Sequence, residues 1–452
     1  MKRIALTTLG CKVNQFESAA LTNQFEQQGC TIVPFSAEAD VYVINTCAVT
    51  ARAAQQSRQM IRRALAHPGA RVVVTGCYAQ LDPKTVLGLT PESLVIVGNG
   101  NKHLLVQAAL STQPDEMIFL MGHIRGKRVI SPLPVSRFPG RTRAYLRIQD
   151  GCDNFCSYCI VPYTRGRSRS LPMDEVLEQA RIFAQGGYRE LVVTGINTSR
   201  YGLDLAEGLT LTTLLDRLCR DFPKMRLRLS SIEPTGIDDE LLDLVARHAN
   251  FMPHFHIPLQ SGDDSILAQM NRHYTGAEFA AIIHRIHHRF PRLTIGCDVL
   301  AGFPGETDAA AETTHCLLAD LPIHYLHVFP YSHRPGTLAA SLPGRIPGPV
   351  KEKRVQRLRE LDGIKRRASY QGNVGRTLNV LMERVQAGTG LLQGFSENYL
   401  PVLTPGPTSL LGQVAPVRIT GVVAGQPRGE RVGALEEKQR NGYTAAPTTG
   451  EI

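Results

Sequence analysis

Short apolar runs alternate with amphipathic stretches along most of this chain, and that alternation constrains its fold more than any other feature. Residues 4–8, 41–45, 71–75 and 94–97 read as strands, with helical stretches over 15–28 and up to about residue 66. Strand and helix in turn predict a parallel sheet covered by helices. Residues 122–137 carry Gly, Pro, Lys and Arg with weak periodicity and read as a linker. A second series follows, with strands expected near 143–148, 189–194, 225–231, 254–258, 293–299 and 323–329, and helices such as 173–184 and 239–248. Six βα units fall short of the eight that close a TIM barrel. From 371 the pattern changes to short strands punctuated by Gly and Pro: 377–382, 391–395, 399–403, 414–419 and 421–424. That is the signature of a small β-barrel of OB-like size. The expectation is an α/β chain in three parts. They are an N-terminal parallel α/β sheet domain (1–121), a central partial (β/α)6 TIM-like barrel (138–370) and a small C-terminal antiparallel β-barrel (371–425). The polar residues 426–452 read as a disordered tail.

Lys plus Arg outnumber Asp plus Glu by 50 to 40, and the pI is about 9.2. This balance favours a polyanionic partner such as nucleic acid. Part of the excess sits in residues 351–368, a basic helix that reads equally as a solvated face or as an RNA-binding surface. No apolar run is long enough for a membrane span, and the N-terminus lacks the apolar core of a signal peptide. A cytoplasmic chain is expected. Its ten cysteines are too sparse for a disulfide scaffold, so clustered thiols point to metal or redox chemistry.

Gly151-Cys152-Asp153-Asn154-Phe155-Cys156-Ser157-Tyr158-Cys159 places three thiols in a C-x3-C-x2-C loop just past a predicted strand. Structural zinc wants four protein ligands, and no fourth Cys or His lies nearby in sequence. Three thiolates suit a 4Fe-4S cluster with one open iron, whereas zinc with a distant fourth ligand is the alternative. Further polar and Gly-bearing turns follow later strands: Thr194-Gly195-Ile196-Asn197, Ser230-Ser231-Ile232-Glu233-Pro234, Leu259-Gln260-Ser261-Gly262, and Asp298 through Gly302-Phe303-Pro304-Gly305-Glu306. All fall at the carboxyl ends of strands, the active face of βα barrels. Ordinary loop punctuation is the alternative for each one singly.

Cys11, Cys47 and Cys77 each sit two or three residues past a predicted parallel strand. In a parallel sheet those ends share an edge, where open α/β folds bind ligands. The trio therefore reads either as a second cluster site or as three buried apolar thiols. Cys30, Cys219, Cys297 and Cys316 show no such pattern and read as structural.

On these motifs the chain resembles the methylthiotransferases of the radical S-adenosylmethionine class over nearly its whole length. The stretch Thr8-Leu9-Gly10-Cys11-Lys12-Val13-Asn14-Gln15-Phe16-Glu17-Ser18, with Arg165-Gly166-Arg167-Ser168-Arg169-Ser170, resembles the bacterial branch that acts on N6-threonylcarbamoyladenosine in tRNA. The branches acting on isopentenyladenosine or on a ribosomal-protein aspartate carry other residues after the first cysteine. Thr404-Pro405-Gly406-Pro407 departs from the family's C-terminal barrel, named TRAM, and touches only local loop geometry. The resemblance implies two 4Fe-4S clusters. One, on Cys152, Cys156 and Cys159, binds S-adenosylmethionine and yields a 5′-deoxyadenosyl radical that takes hydrogen from C2 of the adenine. The other, on Cys11, Cys47 and Cys77, presents sulfur. Tyr158, Thr194, Gly195, Asn197, Ser231, Glu233, Gln260 and Asp298 are the expected S-adenosylmethionine contacts. The partners implied are the tRNA anticodon stem–loop, met by Arg165, Arg167 and Arg169, and an electron donor such as flavodoxin or ferredoxin. A non-catalytic iron–sulfur RNA-binding protein is the alternative of another class.

Overall fold

The computed structural model describes residues 1–89, 94–111, 117–205 and 208–433. Its N-terminal sheet has six strands: β1 (Arg3–Thr8), β2 (Thr31–Val33), β3 (Val41–Thr46), β4 (Arg71–Gly76), β5 (Leu94–Val97) and β6 (Ile118–Leu120). All pair in parallel, in the order β2-β1-β3-β4-β5-β6. β3, β4 and β5 are buried at every position, as continuous Val/Ile runs demand when helices cover both faces. β2 and β6 escaped the sequence reading because three residues leave no measurable period. The helices α1 (Lys12–Gln27), α2 (Ala51–Leu65) and α3 (Cys77–Leu81) leave the sheet after β1, β3 and β4. Thr50 caps α2 by accepting from the Ala53 N–H at 3.0 Å.

The segment read as a linker is a packed strap. Ile124, Ile130, Leu133 and Val135 are buried. Asn23 of α1 accepts the backbone N–H groups of Ser136 (2.7 Å) and Arg137 (3.0 Å), and Gln179 donates to the Val135 carbonyl at 2.6 Å. Next come β7 (Arg143–Arg147), the short antiparallel pair β8 (Gln149–Asp150) and β9 (Arg169–Ser170), then β10 (Glu190–Thr194), β11 (Arg226–Leu229), β12 (His254–Gln260), β13 (Thr294–Ala301) and β14 (Tyr325–Pro330). Two parallel three-stranded sheets, β7-β10-β11 and β12-β13-β14, join through parallel bridges at Leu227–Phe251 and Ser231–His256. The result is the expected open six-stranded half-barrel. Phe16, Ala19 and Ala20 of α1 share its core with Phe138, Ala144 and Leu146, so the N-terminal sheet unit is packed against it.

Helix Gly348–Gln371 buries Val355, Leu358 and Leu361. Several of its cations have internal partners: Arg354 meets Glu306 at 2.7 Å, Arg357 meets Glu312, and Lys365 donates to the carbonyls of Ala319 and Leu321. The closed C-terminal barrel comprises β15 (Thr377–Val385), β16 (Leu392–Ser396), β17 (Pro401–Thr404), β18 (Val414–Val423) and β19 (Gln426–Arg431). Two corrections arise here. The runs 414–419 and 421–424 form one strand with a register shift between Ile419 and Gly421, and the expected tail begins with the strand that closes the barrel. The rest of that tail, from 434, lies outside the described residues. The small barrel covers the amino ends of the half-barrel strands. Arg228 donates to the carbonyls of Ser396 (3.1 Å) and Glu397 (3.0 Å), Arg226 to that of Asn379 (3.2 Å), and Tyr399 packs on His254 with ring centres 4.4 Å apart.

Candidate active site

Cys152, Cys156 and Cys159 lie in the loop that β8 and β9 frame, beyond the carboxyl end of β7. Gly151 enters it at φ +77°, and a Cβ there would stand 1.9 Å from the Arg167 carbonyl oxygen. Gln149 braces the loop by donating to the Gly151 carbonyl (2.7 Å) and Ser168 (2.8 Å) while accepting the N–H groups of Ile196 (3.0 Å) and Asn197 (2.9 Å). A Cβ on Gly195 would already be 3.0 Å from Gln149 Oε1. The thiols have donors waiting: Asn197 Nδ2 stands 3.7 Å from Cys152 Sγ and Arg272 Nη1 stands 3.5 Å from Cys156 Sγ. Glu233 pairs with Arg272, which fixes that guanidinium. Burial pushes the Cys159 thiol up to about 12 and Cys152 upward. Neither thiol is at ease as a bare anion, so ligation by metal would release protons. The buried Asn197 Oδ1 and Ser157 Oγ have no hydrogen-bond partner among the described residues, as polar atoms facing a bound group would not.

Cys11, Cys47 and Cys77 converge as parallel topology requires. The register Thr8–Asn45–Thr75 sets the three loops side by side. Gly10 (φ +98°) and Gly76 (φ +95°) permit the approach: a Cβ on Gly10 would lie 2.9 Å from Cys47 Sγ, and one on Gly76 2.3 Å from the Thr46 carbonyl oxygen. Burial and the neighbouring thiols of Cys77 and Cys11 push Cys47 up to about 11. A tetrahedral zinc with bonds of about 2.3 Å would draw its sulfurs to about 3.8 Å from one another. Among the described residues, the groups with ligand atoms all within 4.8 Å are His256–Asp298–His327 and Glu312–His315–Cys316; neither thiol trio is drawn that tight. Two sets of three spread thiols suit polynuclear clusters better than single ions.

One side chain links the two trios. Asn99 Nδ2 donates to the Thr164 carbonyl at 2.8 Å, in the segment after Cys159, and stands 3.8 Å from Cys77 Sγ. Beside it lies a buried ionic network that the sequence did not reveal. Arg165, 1% exposed, reaches Glu17 of α1 (3.0 Å), Asp150 (2.9 Å) and Asn14 (2.5 Å). Lys102 pairs with Glu17 from the other side. Burial pushes the Glu17 carboxyl up, but Arg165 and Lys102 outweigh it and hold the group well below the usual range. Arg169 is also buried, donating to the Arg165 carbonyl at 2.7 Å. Of the three arginines expected to meet RNA phosphates, only Arg167 is exposed. Arg165 joins the N-terminal sheet unit to the half-barrel, and Arg169 braces it from behind through Asp150 and the Arg165 carbonyl.

The remaining expected contacts scatter along the active face. Thr194 ends β10, buried. Tyr158 is partly buried against the apolar cluster that contains Ile266, Met270, Leu300 and Phe303. Ser231 is exposed, and its carbonyl accepts from Thr198 Oγ1 at 2.7 Å. Gln260 sits at φ +71°, where β12 shifts register against β13. Asp298 lies deeper in the half-barrel, bonded to His256 Nε2 at 2.6 Å; burial raises its carboxyl, but His256 and His327 outweigh that and hold it low. Residues missed in the sequence are Gln149, Arg272, Asn99 and Lys102, none of which belongs to a short motif, and Glu17, whose motif gave no sign of its buried pairing.

Residues 3–98 match the model of Uncharacterized protein family UPF0004, and residues 146–317 match that of the Radical SAM superfamily. The chain is 40% identical over 382 residues to the threonylcarbamoyladenosine tRNA methylthiotransferase MtaB of Aquifex aeolicus, covering 84% of this chain and 92% of that protein. It belongs to the MtaB family of radical S-adenosylmethionine tRNA methylthiotransferases. The MtaB of Bacillus subtilis is 36% identical, covering 95% of this chain and 96% of that protein. Among solved structures, the radical S-adenosylmethionine methyltransferase TsrM of Kitasatospora setae superposes with a TM-score of 0.54 at 17% identity, over 75% of this chain and 77% of that one. That likeness concerns the fold. The enzyme is thus a radical S-adenosylmethionine tRNA methylthiotransferase, with S-adenosylmethionine and a 4Fe-4S cluster as cofactors. No described helix is long and apolar enough to cross a membrane.

Proposed function

We propose that the enzyme methylthiolates C2 of N6-threonylcarbamoyladenosine next to the anticodon of tRNA, and that it holds two 4Fe-4S clusters. The observation carrying this reading is the approach of two thiol trios, linked through Asn99, which reaches Cys77 Sγ and the Thr164 carbonyl. Cys152, Cys156 and Cys159 would hold the first cluster and Cys11, Cys47 and Cys77 the second. When bound, the first cluster with S-adenosylmethionine supplies one-electron chemistry at a carbon that is neither acidic nor electrophilic. This chain's own part is to position and exclude. Asn197 and Arg272 orient donors at the first trio, Gln149 locks the loop beneath it, and Arg165 fixes the second trio relative to the first. A base undergoing chemistry must leave its stack. Phe155, 41% exposed in the cluster loop, and Arg167 support RNA contact at this mouth. Flavodoxin or ferredoxin is the proposed electron donor, and the cytoplasm the proposed place of work.

Two measurements test this. Anaerobically reconstituted protein should hold about eight irons, falling to about four in Cys11→Ala/Cys47→Ala/Cys77→Ala. Four irons in both would remove the second cluster. Nucleoside analysis of tRNA from cells with and without the enzyme should show 2-methylthio-N6-threonylcarbamoyladenosine only with it. Appearance of the isopentenyl product instead would replace the substrate.

A further inference from the structure

Arg334 is a buried cation with no carboxylate partner among the described residues. It is 7% exposed, its Nε has no hydrogen-bond partner, and the charged or polar groups that act on it are Cys47, Tyr78 and Arg58, with no carboxylate among them. Arg58 of α2 is the second cation of the place. Its Nη1 lies 3.3 Å from the Tyr78 hydroxyl, which follows Cys77 directly. The position is built. Ser57 accepts the Cys47 N–H at 3.1 Å and donates to the Cys47 carbonyl at 3.0 Å, so Arg58 projects beside that thiol loop. The loop carrying Arg334 is tied to both trios: Ser332 Oγ accepts the Ala51 N–H at 2.8 Å, and the Ala339 N–H donates to the Ser157 carbonyl at 2.8 Å. Two guanidinium groups that repel each other, one of them buried, face the same thiol loops and leave forks open to an anion beyond the thiolates. Guanidinium forks match carboxylates and phosphates in shape.

We infer that Arg58 and Arg334 together bind the carboxylate of the substrate's N6-threonylcarbamoyl group. The inference rests on the substrate reading above. C2 and C6, which bears N6, flank N1 on one edge of adenine. In this arrangement a base with C2 between the two trios and N6 turned toward the N-terminal sheet carries its substituent to the Cys47 and Cys77 loops, where these arginines stand. The isopentenyl group has no charge to offer them. The pair thus gives the site a basis for choosing an acidic N6 substituent over an apolar one.

The test is fluorescence anisotropy of reconstituted holoenzyme, without S-adenosylmethionine, against labelled anticodon stem–loops. The RNAs carry threonylcarbamoyladenosine, its neutral methyl ester, or unmodified adenosine. Wild type should bind the acid at least about tenfold tighter than the ester, the scale of a hydrogen bond to a charged group. Arg58→Gln and Arg334→Gln should each bring that ratio close to one, and Arg58→Lys should keep part of it. Unchanged iron content certifies the variants; Arg58 is half-buried on a helix, so it carries the test if Arg334→Gln misfolds. Equal weakening on all three RNAs would mean a backbone phosphate and overturn the inference. An acid preference that survives both substitutions would overturn it while sparing the substrate reading. A wild type that neither prefers nor methylthiolates the acid-bearing RNA would bring down the substrate reading itself.

Discussion

Replacing Arg165 with Met tests whether the buried ionic network fixes one thiol trio against the other. The guanidinium is 1% exposed and serves Glu17, Asp150 and Asn14 at once. Removing one partner of a buried pair costs about 3–5 kcal/mol. Here Glu17 keeps Lys102 and Asp150 keeps Arg169, so neither carboxylate is left bare. That places the cost near the lower bound, about 3 kcal/mol, or about 150-fold in a local opening equilibrium. Because the chain has several units, a single global unfolding energy is the wrong readout. Amide hydrogen exchange resolved by peptide is the right one. Protection of α1 and of residues 161–170 should fall about 100-fold, while the C-terminal barrel keeps its own. A Glu17→Gln change in the Arg165→Met background should add far less than it does alone, since both remove the same contact. Protection within threefold of wild type, or additive effects of the two substitutions, would refute the reasoning.

Three further outcomes follow from the geometry. Gly76→Ala puts a methyl 2.3 Å from the Thr46 carbonyl oxygen and should cut bound iron by about half, whereas Gly29→Ala, at φ +73° in open space, should cost only about 1 kcal/mol and leave iron unchanged. Glu190 is buried, and although burial raises its carboxyl, Arg228 and Arg226 outweigh that and hold it near 2, against an ordinary 4.5. Its contribution, about 3 kcal/mol, is fully present above pH 4.5 and is lost as pH falls towards 2; amide hydrogen exchange of β10 and β11 across that window should show the loss, and Glu190→Gln should flatten it. Tyr399→Ala removes the ring that packs on His254 and over Arg228. It should loosen the small barrel by about 3 kcal/mol and speed limited proteolysis between helix Gly348–Gln371 and β15, and an unchanged cleavage rate would count against that docking.

Both thiol trios were legible in the sequence, for different reasons. Cys152, Cys156 and Cys159 are neighbours in the chain, so spacing alone brings them together. Cys11, Cys47 and Cys77 are far apart, yet each follows a strand, and a parallel sheet leaves one edge for all three ends. The half-barrel was legible because alternating strands and helices have few packing solutions. Closure of the small barrel was less so: β19, Gln-Pro-Arg-Gly-Glu-Arg, is polar enough to read as tail and becomes a strand only against β18 and β17.

Charges were the part that tertiary structure decided. Arg165, Arg167 and Arg169 look alike in sequence, but packing turns two inward as braces and leaves one outside. Arg58 and Arg334 become a pair only when α2 and the loop after β14 meet at Ser332. The physical reason is that apolar periodicity is a local property, written along a strand or helix. What a charge does depends on its burial and on partners that distant segments bring to it.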